Sequence, residues 1–577
     1  MTRLKSFLPL LLLSIAANFT TQAQAQTLKV VLAGSSAMWQ SMALGAYNAG
    51  HCLPGATSPC FHYTSGSNFN LVDGRPTVKG GTAAVDTGAT WIVWDSAPTP
   101  NVWAFIKVDS GVGDRCFFAQ PQCNVSVPTF PAAGDQIAAS LWGDNSADST
   151  PPTSVSSLFT GGTVLVNAAA TDIRPEDALF ATCRANSKLG GGPDGLAGLG
   201  YGLLGAGVCP GTTAPLADLE GKDILSGYPG STGTAHIVAF ALAGKDPFTG
   251  TVVPAYSTVP VGAAPIIFIT QRTGALKNLT GATDAQLQEV FSGANCNASA
   301  FGEPSAPIQA YLREPVSGTM NTTEYTVFRY KNYLGNSQET GVAAANPLAK
   351  ACTSGGKRFR AIGTSEEVKS VLNSGTNNGT DGIGYTFFSY GNVSSIANSA
   401  SYGYLTVDGI DGIFHKYGTT LDPGQPAIVG ALPSSATLPA VCAGTFPCAE
   451  GKIWSGNLSF PNLRNGSYRA WSTLRVVSNG TPLANLRLLV TSSNNYVVTT
   501  VPDYVPATKV GATDPGLALL RSHYTVLSFA PVNVSGTGDR GGDAGGCILS
   551  STGVAATSDT TTKLAQEAPG TSCVSVP

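Results

Sequence analysis

The 577-residue sequence is poor in charged residues. Lysine and arginine total 32 and aspartate and glutamate total 35, so charged residues make up only 12% of the chain and the formal net charge is −3. A protein that binds nucleic acid needs a basic surface that neutralises many phosphates, and this composition offers none. We therefore expect no nucleic-acid partner, and we expect any bound anion to depend on a few placed donors rather than on overall attraction.

Long apolar runs are also scarce. Beyond the first residues, no stretch approaches the roughly 18 apolar residues of a membrane-spanning helix. Near the start, Arg3 and Lys5 precede a mostly apolar run over residues 7–17, and small residues follow at 23–25. This pattern is typical of a secretory signal peptide over residues 1–25, and it predicts an exported protein, periplasmic or extracellular.

The spacing of a metal site is absent as well. None of the twelve cysteines forms a C-x-x-C pair and the five histidines do not cluster near them, so we expect no metal and no cofactor. An even number of cysteines in an exported chain instead predicts disulfide bonds. Sequence does not determine their connectivity, but neighbouring cysteines give six candidate pairs: Cys52–Cys60, Cys116–Cys123, Cys183–Cys209, Cys296–Cys352, Cys442–Cys448 and Cys547–Cys573. We expect these bonds to fasten insertions rather than the core.

Hydrolase and dinucleotide-binding motifs are not convincing either. There is no G-x-S-x-G elbow, and nothing places His236, His415 or His523 beside a nucleophile. The G-x-G-x-x-G at residues 200–205 has no strand before it and no clear helix after it, so a dinucleotide site is not predicted. These absences argue against an enzyme, although a hydrolase that uses one of the many serines is a third candidate.

Apolar, strand-like runs recur along the chain. With 43% hydrophobic residues, this length allows two or more domains and a sizeable core. Runs at 28–33, 102–108 and 164–169 each end in a small polar turn, and helical patterns follow the first two. Residues 52–94 form short strands and turns, which we interpret as a hairpin-rich insertion. The alternation predicts an α/β fold.

The segment that follows residues 308–312, a short apolar strand, has the features of an anion site. Ser317, Gly318 and Thr319 open a helical pattern, so backbone N–H groups and hydroxyls would face whatever lies beyond the strand end. Arg313 adds a two-pronged guanidinium. The alternative is an ordinary capped helix with an exposed arginine, and spacing alone does not separate the two.

Two earlier turns have the same strand-to-helix form. Ser35 and Ser36 follow the first strand, and Ser110 and Gly111 follow the second. Each could add hydroxyl or backbone donors to an anion site. The alternative for the second turn is that Asp109 or Ser110 simply caps a helix.

The run R-E-P-V-S-G-T at residues 313–319 resembles the anion-binding segment of periplasmic phosphate-binding proteins, the receptor subunits of phosphate ABC importers. The earlier turns resemble that family's ligand turns and occur in the same order. The resemblance implies a type 2 periplasmic-binding-protein fold in which phosphate lies between two domains. The ligand residues it implies are Arg313, Ser317, Gly318, Thr319, Ser35, Ser36, Ser110, Gly111 and Asp177. The family often has an acid two places after the arginine, where this chain has Pro315.

Asp177 is the acidic member of that set. Residues 172–178 resemble the family's third turn, and the resemblance implies that this carboxylate accepts a proton from phosphate that a fully ionised sulfate lacks. The alternative is that Asp177 and Glu176 lie in the solvated first turn of a helix, where the helix dipole favours acids.

The resemblance also predicts the domain organisation. The first domain would comprise residues 27–235 and 400–508, completed by a returning strand at 468–477, and the second would comprise residues 236–399. Residues 509–577 match nothing in the family, so we expect a C-terminal extension.

The sequence thus favours an exported solute-binding protein that captures phosphate or a related oxyanion, with an ABC importer membrane complex as a further partner. The alternative is a surface adhesion or structural protein that keeps the binding fold without the ligand. Its support is the number of insertions, the cysteine-containing C-terminal segment and Pro315.

Overall fold

The computed structural model describes most of the chain between residues 27 and 506. The described residues are 27–73, 84–173, 175, 178, 240–242, 244–246, 249–313, 317–328, 350–352, 354–361, 363–394, 396, 401–414, 430, 432, 440–442, 452–454, 460–464, 468–499 and 503–506. The predicted signal peptide, the segment at 200–205 and the C-terminal extension lie outside them.

The described residues form eighteen strands. These are β1 (Thr27–Gly34), β2 (Cys60–Val72), β3 (Ala84–Asp95), β4 (Asn101–Lys107), β5 (Asn124–Ser126), β6 (Val164–Leu165), β7 (Ala168–Thr171), β8 (Ser257–Gln271), β9 (Gly281–Ala282), β10 (Gln309–Arg313), β11 (Lys350–Ala351), β12 (Lys357–Ala361), β13 (Gly382–Phe387), β14 (Tyr402–Val407), β15 (Ala440–Cys442), β16 (Lys452–Trp454), β17 (Trp471–Ser478) and β18 (Val505–Pro506).

Ten α-helices accompany the strands in the described residues. These are α1 (Trp39–Tyr47), α2 (Ser110–Phe118), α3 (Thr153–Thr160), α4 (Asp284–Phe291), α5 (Gly318–Thr323), α6 (Thr364–Leu372), α7 (Ser374–Asn378), α8 (Tyr390–Val393), α9 (Pro461–Arg464) and α10 (Gly480–Thr499). Short 3₁₀ turns lie at Ser36–Met38, Asn48–Gly50, Ala139–Leu141 and Ala298–Phe301, and one π-helical turn at Glu324–Phe328 continues α5. No helix in the described part of the chain is both long enough and apolar enough to span a bilayer.

Sixteen of the strands join one mixed sheet. Its main path runs β11-β12-β10-β13-β8-β17-β7-β1-β4-β3-β2-β5-β6. β1 pairs in parallel with β4 and β7, and β10 pairs in parallel with β12 and β13, whereas β17 and β13 both run antiparallel to β8. The predicted α/β class is confirmed.

The long strand β8 connects two parts of this sheet. Its residues 257–265 pair with β17, and its residues 266–270 pair with β13. We call residues 27–173 the first lobe and residues 266–414 the second lobe. β17 also pairs with β7 of the first lobe, where we expected the returning strand. β14 pairs with β8 and β9, on the side of the second lobe. The domain boundaries at 235 and 400 remain a prediction.

Strand β1 is buried on both faces, as a central parallel strand should be. Val30 and Leu32 belong to a core cluster that includes residues of α1 and α10, whereas Val31 and Ala33 pack with residues of α2. Alternate side chains point to opposite faces of a strand, so β1 is covered by helices on both sides. A Cβ on Gly113 of α2 would lie 2.4 Å from the Ala33 carbonyl oxygen, so the absence of a side chain there lets the helix approach the strand.

The hairpin-rich insertion is part of the sheet. β2 and β3 form a long antiparallel pair, and β3 pairs with β4 of the parallel core. Short strands were expected here, but these two contain 13 and 12 residues.

Three of the predicted disulfides are confirmed. They join Cys52 to Cys60, Cys116 to Cys123 and Cys296 to Cys352, with Cα–Cα distances of 5.4, 4.7 and 5.5 Å. All six of these cysteines are buried in the hydrophobic core clusters, so the expectation that the bonds chiefly fasten insertions rather than the core is not met by these three. The predicted pairs of Cys183, Cys442 and Cys547 involve residues outside the described part of the chain.

Candidate anion-binding site

Three turns of the first lobe meet at one edge of the sheet. β1 lies between β4 and β7 and runs parallel to both, with Gly34 opposite Lys107 on one side and Ala170 on the other. The carboxyl ends of parallel strands share an edge, so the turns that follow these three strands are neighbours. Their polar residues Ser35 and Ser110 lie there, together with Asp172, which the turn after β7 carries.

Gly34 determines how the chain leaves β1. Its φ is +134°, and a Cβ would lie 2.0 Å from the Ala170 carbonyl oxygen, which excludes any side chain. The N–H of Ser35 donates to that same carbonyl oxygen at 2.8 Å. The tight exit therefore holds Ser35 against the turn after β7.

Asp172 is the centre of the polar contacts in this lobe. Its carboxylate accepts a hydrogen bond from the Ser35 hydroxyl, and its backbone N–H donates to Ser110 Oγ at 3.2 Å. Its carbonyl oxygen accepts from the hydroxyl of Ser472 on β17. Only 4% of Asp172 is exposed. Hydroxyls from two turns and from the returning strand thus hold this buried acid in one orientation.

The second lobe brings its own hydroxyl to Asp172. Thr319 Oγ1 donates to Asp172 Oδ2 at 3.4 Å, and a Cβ on Gly318 would lie 2.6 Å from the Asp172 Cβ. A side chain at 318 would therefore push the lobes apart. Ser317 is buried, and its Oγ accepts from the Met320 N–H at 3.4 Å, as a residue that caps α5 would.

Arg313 lies at the end of β10 with its side chain only 1% exposed. Its Nη1 donates to Thr364 Oγ1 at 2.9 Å, and its Nη2 donates to Asp109 of the first lobe. Thr364 lies near Arg313 because β10 and β12 are parallel neighbours and α6 begins just after β12. Thr364 Oγ1 also accepts from Ser36 Oγ at 3.0 Å. The guanidinium is therefore held by both lobes.

The pKa of Asp172 departs from its ordinary value. Burial raises it from 3.8 to about 6, and this rise outweighs the opposing effects of the Ser35 hydrogen bond, the charge of Arg313 and the bonds to Ser110 and Thr319. A carboxyl group in this range exchanges its proton near neutral pH. It can accept a hydrogen bond when ionised and donate one when protonated.

Most of the predicted site residues lie close together. Ser35, Ser110, Gly318 and Thr319 surround Asp172, and the charge of Arg313 acts on it. Ser36 reaches the group through Thr364, Ser317 caps α5, and Gly111 is buried in the first turn of α2. Asp177 lies outside the described residues. That these residues bind an anion remains a prediction.

Three residues of this cluster were not predicted from the sequence. Asp172 was treated as the start of a turn motif, yet it directly follows a strand that lies beside β1. Asp109 was considered only as a helix cap, and it does occupy the N-cap position of α2, but its side chain makes no capping bond. Thr364 reaches Arg313 through the pairing of β10 with β12, and Asp109 reaches it from the other lobe. Local sequence pattern reveals neither contact.

A second polar cluster surrounds His62, which was not predicted as a site residue. His62 Nδ1 lies 3.0 Å from Asp148 Oδ1, and its Nε2 lies 2.9 Å from Ser146 Oγ. The Ser146 hydroxyl, however, donates to Asp144 Oδ1 at 2.6 Å, and a hydroxyl has only one proton to donate. The His62 ring also stacks on Trp142 with centroids 3.8 Å apart. We interpret these contacts as holding the loop that carries Ser146 in place, and not as a catalytic pair in which His62 activates Ser146.

Within the part of the chain that the structure describes, histidine, cysteine, aspartate and glutamate nowhere form a group of three or more that could hold a metal ion. His236, His415 and His523 lie outside that part.

No family model matches the chain, and no curated protein matches it. Solved structures do align with it. A human phosphate binding apolipoprotein aligns over 87% of this chain and 94% of its own, with 14% identity and a TM-score of 0.35. A DING protein covers 83% of this chain and 89% of its own, with 14% identity and a TM-score of 0.34. A putative phosphate ABC transporter substrate-binding protein from Clostridium perfringens covers 44% and 71%, with 16% identity and a TM-score of 0.26. Identities and scores this low do not make the chain a member of that family.

Proposed function

We propose that this protein is an exported solute-binding protein that captures phosphate or a related tetrahedral oxyanion between two domains, residues 27–235 with 400–508 and residues 236–399. The observation that carries the proposal is the meeting of Asp172 with hydroxyls from both lobes beside a buried arginine. A tetrahedral oxyanion needs several convergent donors. The candidates here are the guanidinium of Arg313 and the hydroxyls of Ser35 and Thr319, which donate to Asp172 in this structure and would turn to the anion when it binds.

The donors act through placement rather than through total charge. The chain has a net charge of −3, so long-range attraction does not concentrate anions at the cleft. The hydroxyl groups of Ser35 and Ser110 would bind oxygen atoms without adding charge, and Arg313 would supply a charge-assisted pair of bonds. Such a site binds tightly only when the lobes close and exclude water.

The acid would provide the selectivity that the sequence analysis assigned to Asp177. Monobasic and dibasic phosphate carry a proton that can be donated to an ionised carboxylate, whereas sulfate carries none and would leave that acceptor unpaired. Asp172 is at the centre of the described cluster, so we assign this role to Asp172. Asp177 remains a candidate for a further contact.

Capture in an exported receptor implies delivery. We propose that the loaded protein passes its anion to an ABC importer membrane complex and that it acts without catalysing a reaction.

Isothermal titration calorimetry with phosphate, arsenate and sulfate tests the proposal. Wild-type protein should bind phosphate and arsenate more tightly than sulfate. Asp172→Asn should narrow the preference for phosphate over sulfate, because an amide can donate to an ionised oxygen. Glu289→Gln is the matched control, since it makes the same carboxylate-to-amide change at an exposed position of α4. Absence of a binding heat with all three anions would overturn the proposal and favour the adhesion or structural role.

A further inference from the structure

Asp109 occupies a helix cap position without capping the helix. Its backbone is extended, with φ −83° and ψ 157°, and it directly precedes α2, yet its carboxylate makes no bond to the N–H groups of that helix. An aspartate at this position ordinarily accepts from the second or third N–H of its helix. Here the carboxylate instead accepts from Arg313, which is 204 residues away in the other lobe.

The ion pair is buried between the two lobes. The Arg313 side chain is 1% exposed and the Asp109 side chain 6% exposed. Removing two charges from water is costly, and mutual attraction offsets the cost only when the pair is well placed. A bond from this carboxylate to its own helix would not require a second buried charge. We therefore infer that its orientation toward Arg313 serves the site.

The charges of the cluster follow from these contacts. Arg313 contributes one positive charge and Asp109 one negative charge, so the pair is neutral, and Asp172 adds a negative charge when it is ionised. These three described groups therefore present no net positive charge to an anion in the closed site. Its retention depends on individual hydrogen bonds, those from Arg313 included, and on a proton that it can share with Asp172.

The pairing acts only when the lobes are together, because Asp109 and Arg313 belong to different lobes. While the lobes are apart, Arg313 is without this counter-charge and attracts any small anion. Closure then brings Asp109 to the guanidinium and cancels that attraction. An anion that carries a proton keeps its bond to Asp172, whereas a fully ionised one is left beside carboxylates with nothing to donate.

We propose, on the basis of the proposed oxyanion-binding function, that Asp109 is a specificity-determining residue: closure of the lobes brings its carboxylate to Arg313, and this rejects anions that lack a proton. Asp109 thereby takes the place of an acid near the arginine along the chain, where Pro315 stands.

Two variants of Asp109 test this proposal. Asp109→Asn keeps the shape and one acceptor oxygen toward Arg313, and Asp109→Ser keeps a residue that can cap α2. Both remove the negative charge. Thermal unfolding followed by circular dichroism would establish that each variant folds, and Glu289→Gln serves as the control for loss of a carboxylate elsewhere.

Calorimetry with phosphate and sulfate gives the first readout. Removing the like charge should tighten sulfate binding by about tenfold or more, while phosphate affinity changes less, so the ratio of the two affinities falls by about tenfold. A matching fall in both affinities would mean that Asp109 only positions Arg313, and unchanged affinities would mean that it has no role. Either result overturns the inference. Failure of the wild-type protein to bind phosphate would instead overturn the proposed function itself, and with it the inference.

Stopped-flow kinetics gives a second readout that a positioning role would not produce. Because Asp109 acts after closure, the association rate of sulfate should be similar for the wild-type protein and for Asp109→Asn. The dissociation rate should be about tenfold lower for the variant, and this slower dissociation would account for its higher sulfate affinity. An effect on the association rate alone would overturn the inference.

Discussion

Replacement of Asp172 by asparagine should stabilise the fold while it weakens selectivity. Burial raises the pKa of Asp172 from 3.8 to about 6 in the folded protein, so folding disfavours the ionised form. A difference of about 2 pKa units, at roughly 1.4 kcal/mol per unit, corresponds to on the order of 3 kcal/mol of unfolding free energy lost at neutral pH. Asparagine has a similar shape and no charge to bury, so the variant should recover much of that loss.

The sign of this effect depends on pH in a defined window. Well below pH 4 the carboxyl group is protonated in both the folded and the unfolded states and costs nothing. Between pH 4 and pH 6 the unfolded state releases its proton first, so the free energy of unfolding falls as pH rises, and above about pH 6 the loss is complete. Asp172→Asn should therefore be more stable than wild type at pH 8 and similar to it at pH 3.5.

Urea denaturation at both pH values, in buffer without phosphate or sulfate, measures the difference. The anions are left out because any ligand that binds only the folded state would add its own stabilisation. If the variant were less stable than wild type at pH 8, the carboxylate would be contributing favourable hydrogen bonds that outweigh its burial. The reasoning from its raised pKa would then be wrong.

Further predictions concern three other residues. Arg313→Ala should weaken phosphate binding by about one to two orders of magnitude in calorimetry, because a charged hydrogen-bond partner is lost, whereas Lys357→Ala, at an exposed lysine of β12, should leave it unchanged. Asp503 is fully buried with one oxygen unpartnered among the described residues, and burial raises its pKa to about 7. Asp503→Asn should therefore raise the free energy of unfolding above pH 7, by up to roughly 4 kcal/mol in denaturant titrations, with no gain below pH 4. A fluorophosphonate probe should not label Ser146, because its hydroxyl donates to Asp144. Labelling detected by mass spectrometry would mean that the serine is activated.

The local elements were predictable because each depends on neighbouring residues. An apolar run followed by a small polar turn predicted β1 and its exit. The 20-residue helix α10 was not predicted. Leu486, Leu489 and Val490 are buried at helical spacing while Leu488 is exposed, so a longer window would have revealed the helical period.

The position of Asp172 depended on information that a motif does not carry. The resemblance pointed to Asp177, which lies outside the described residues, and used Asp172 only as the start of a turn motif. Among the described residues, Asp172 is the acid beside Ser35 and Ser110. The first polar residues after a strand lie at the sheet edge, and the turn after β7 lies beside β1 only because the two strands pair in parallel. Pairing between strands more than 130 residues apart is a property of the tertiary fold.

Pro315 shows how such a fold can replace a local residue by a distant one. The side chain of proline is an apolar ring without a carboxyl group, so it cannot supply a carboxylate to the arginine two places before it. The structure supplies that carboxylate from Asp109, across the cleft. An acid adjacent in sequence would neutralise Arg313 whether the lobes were open or closed. An acid from the opposite lobe would neutralise it only on closure. Under the proposed function, the net charge at Arg313 would then depend on conformation, and anion selection would be coupled to the closing movement.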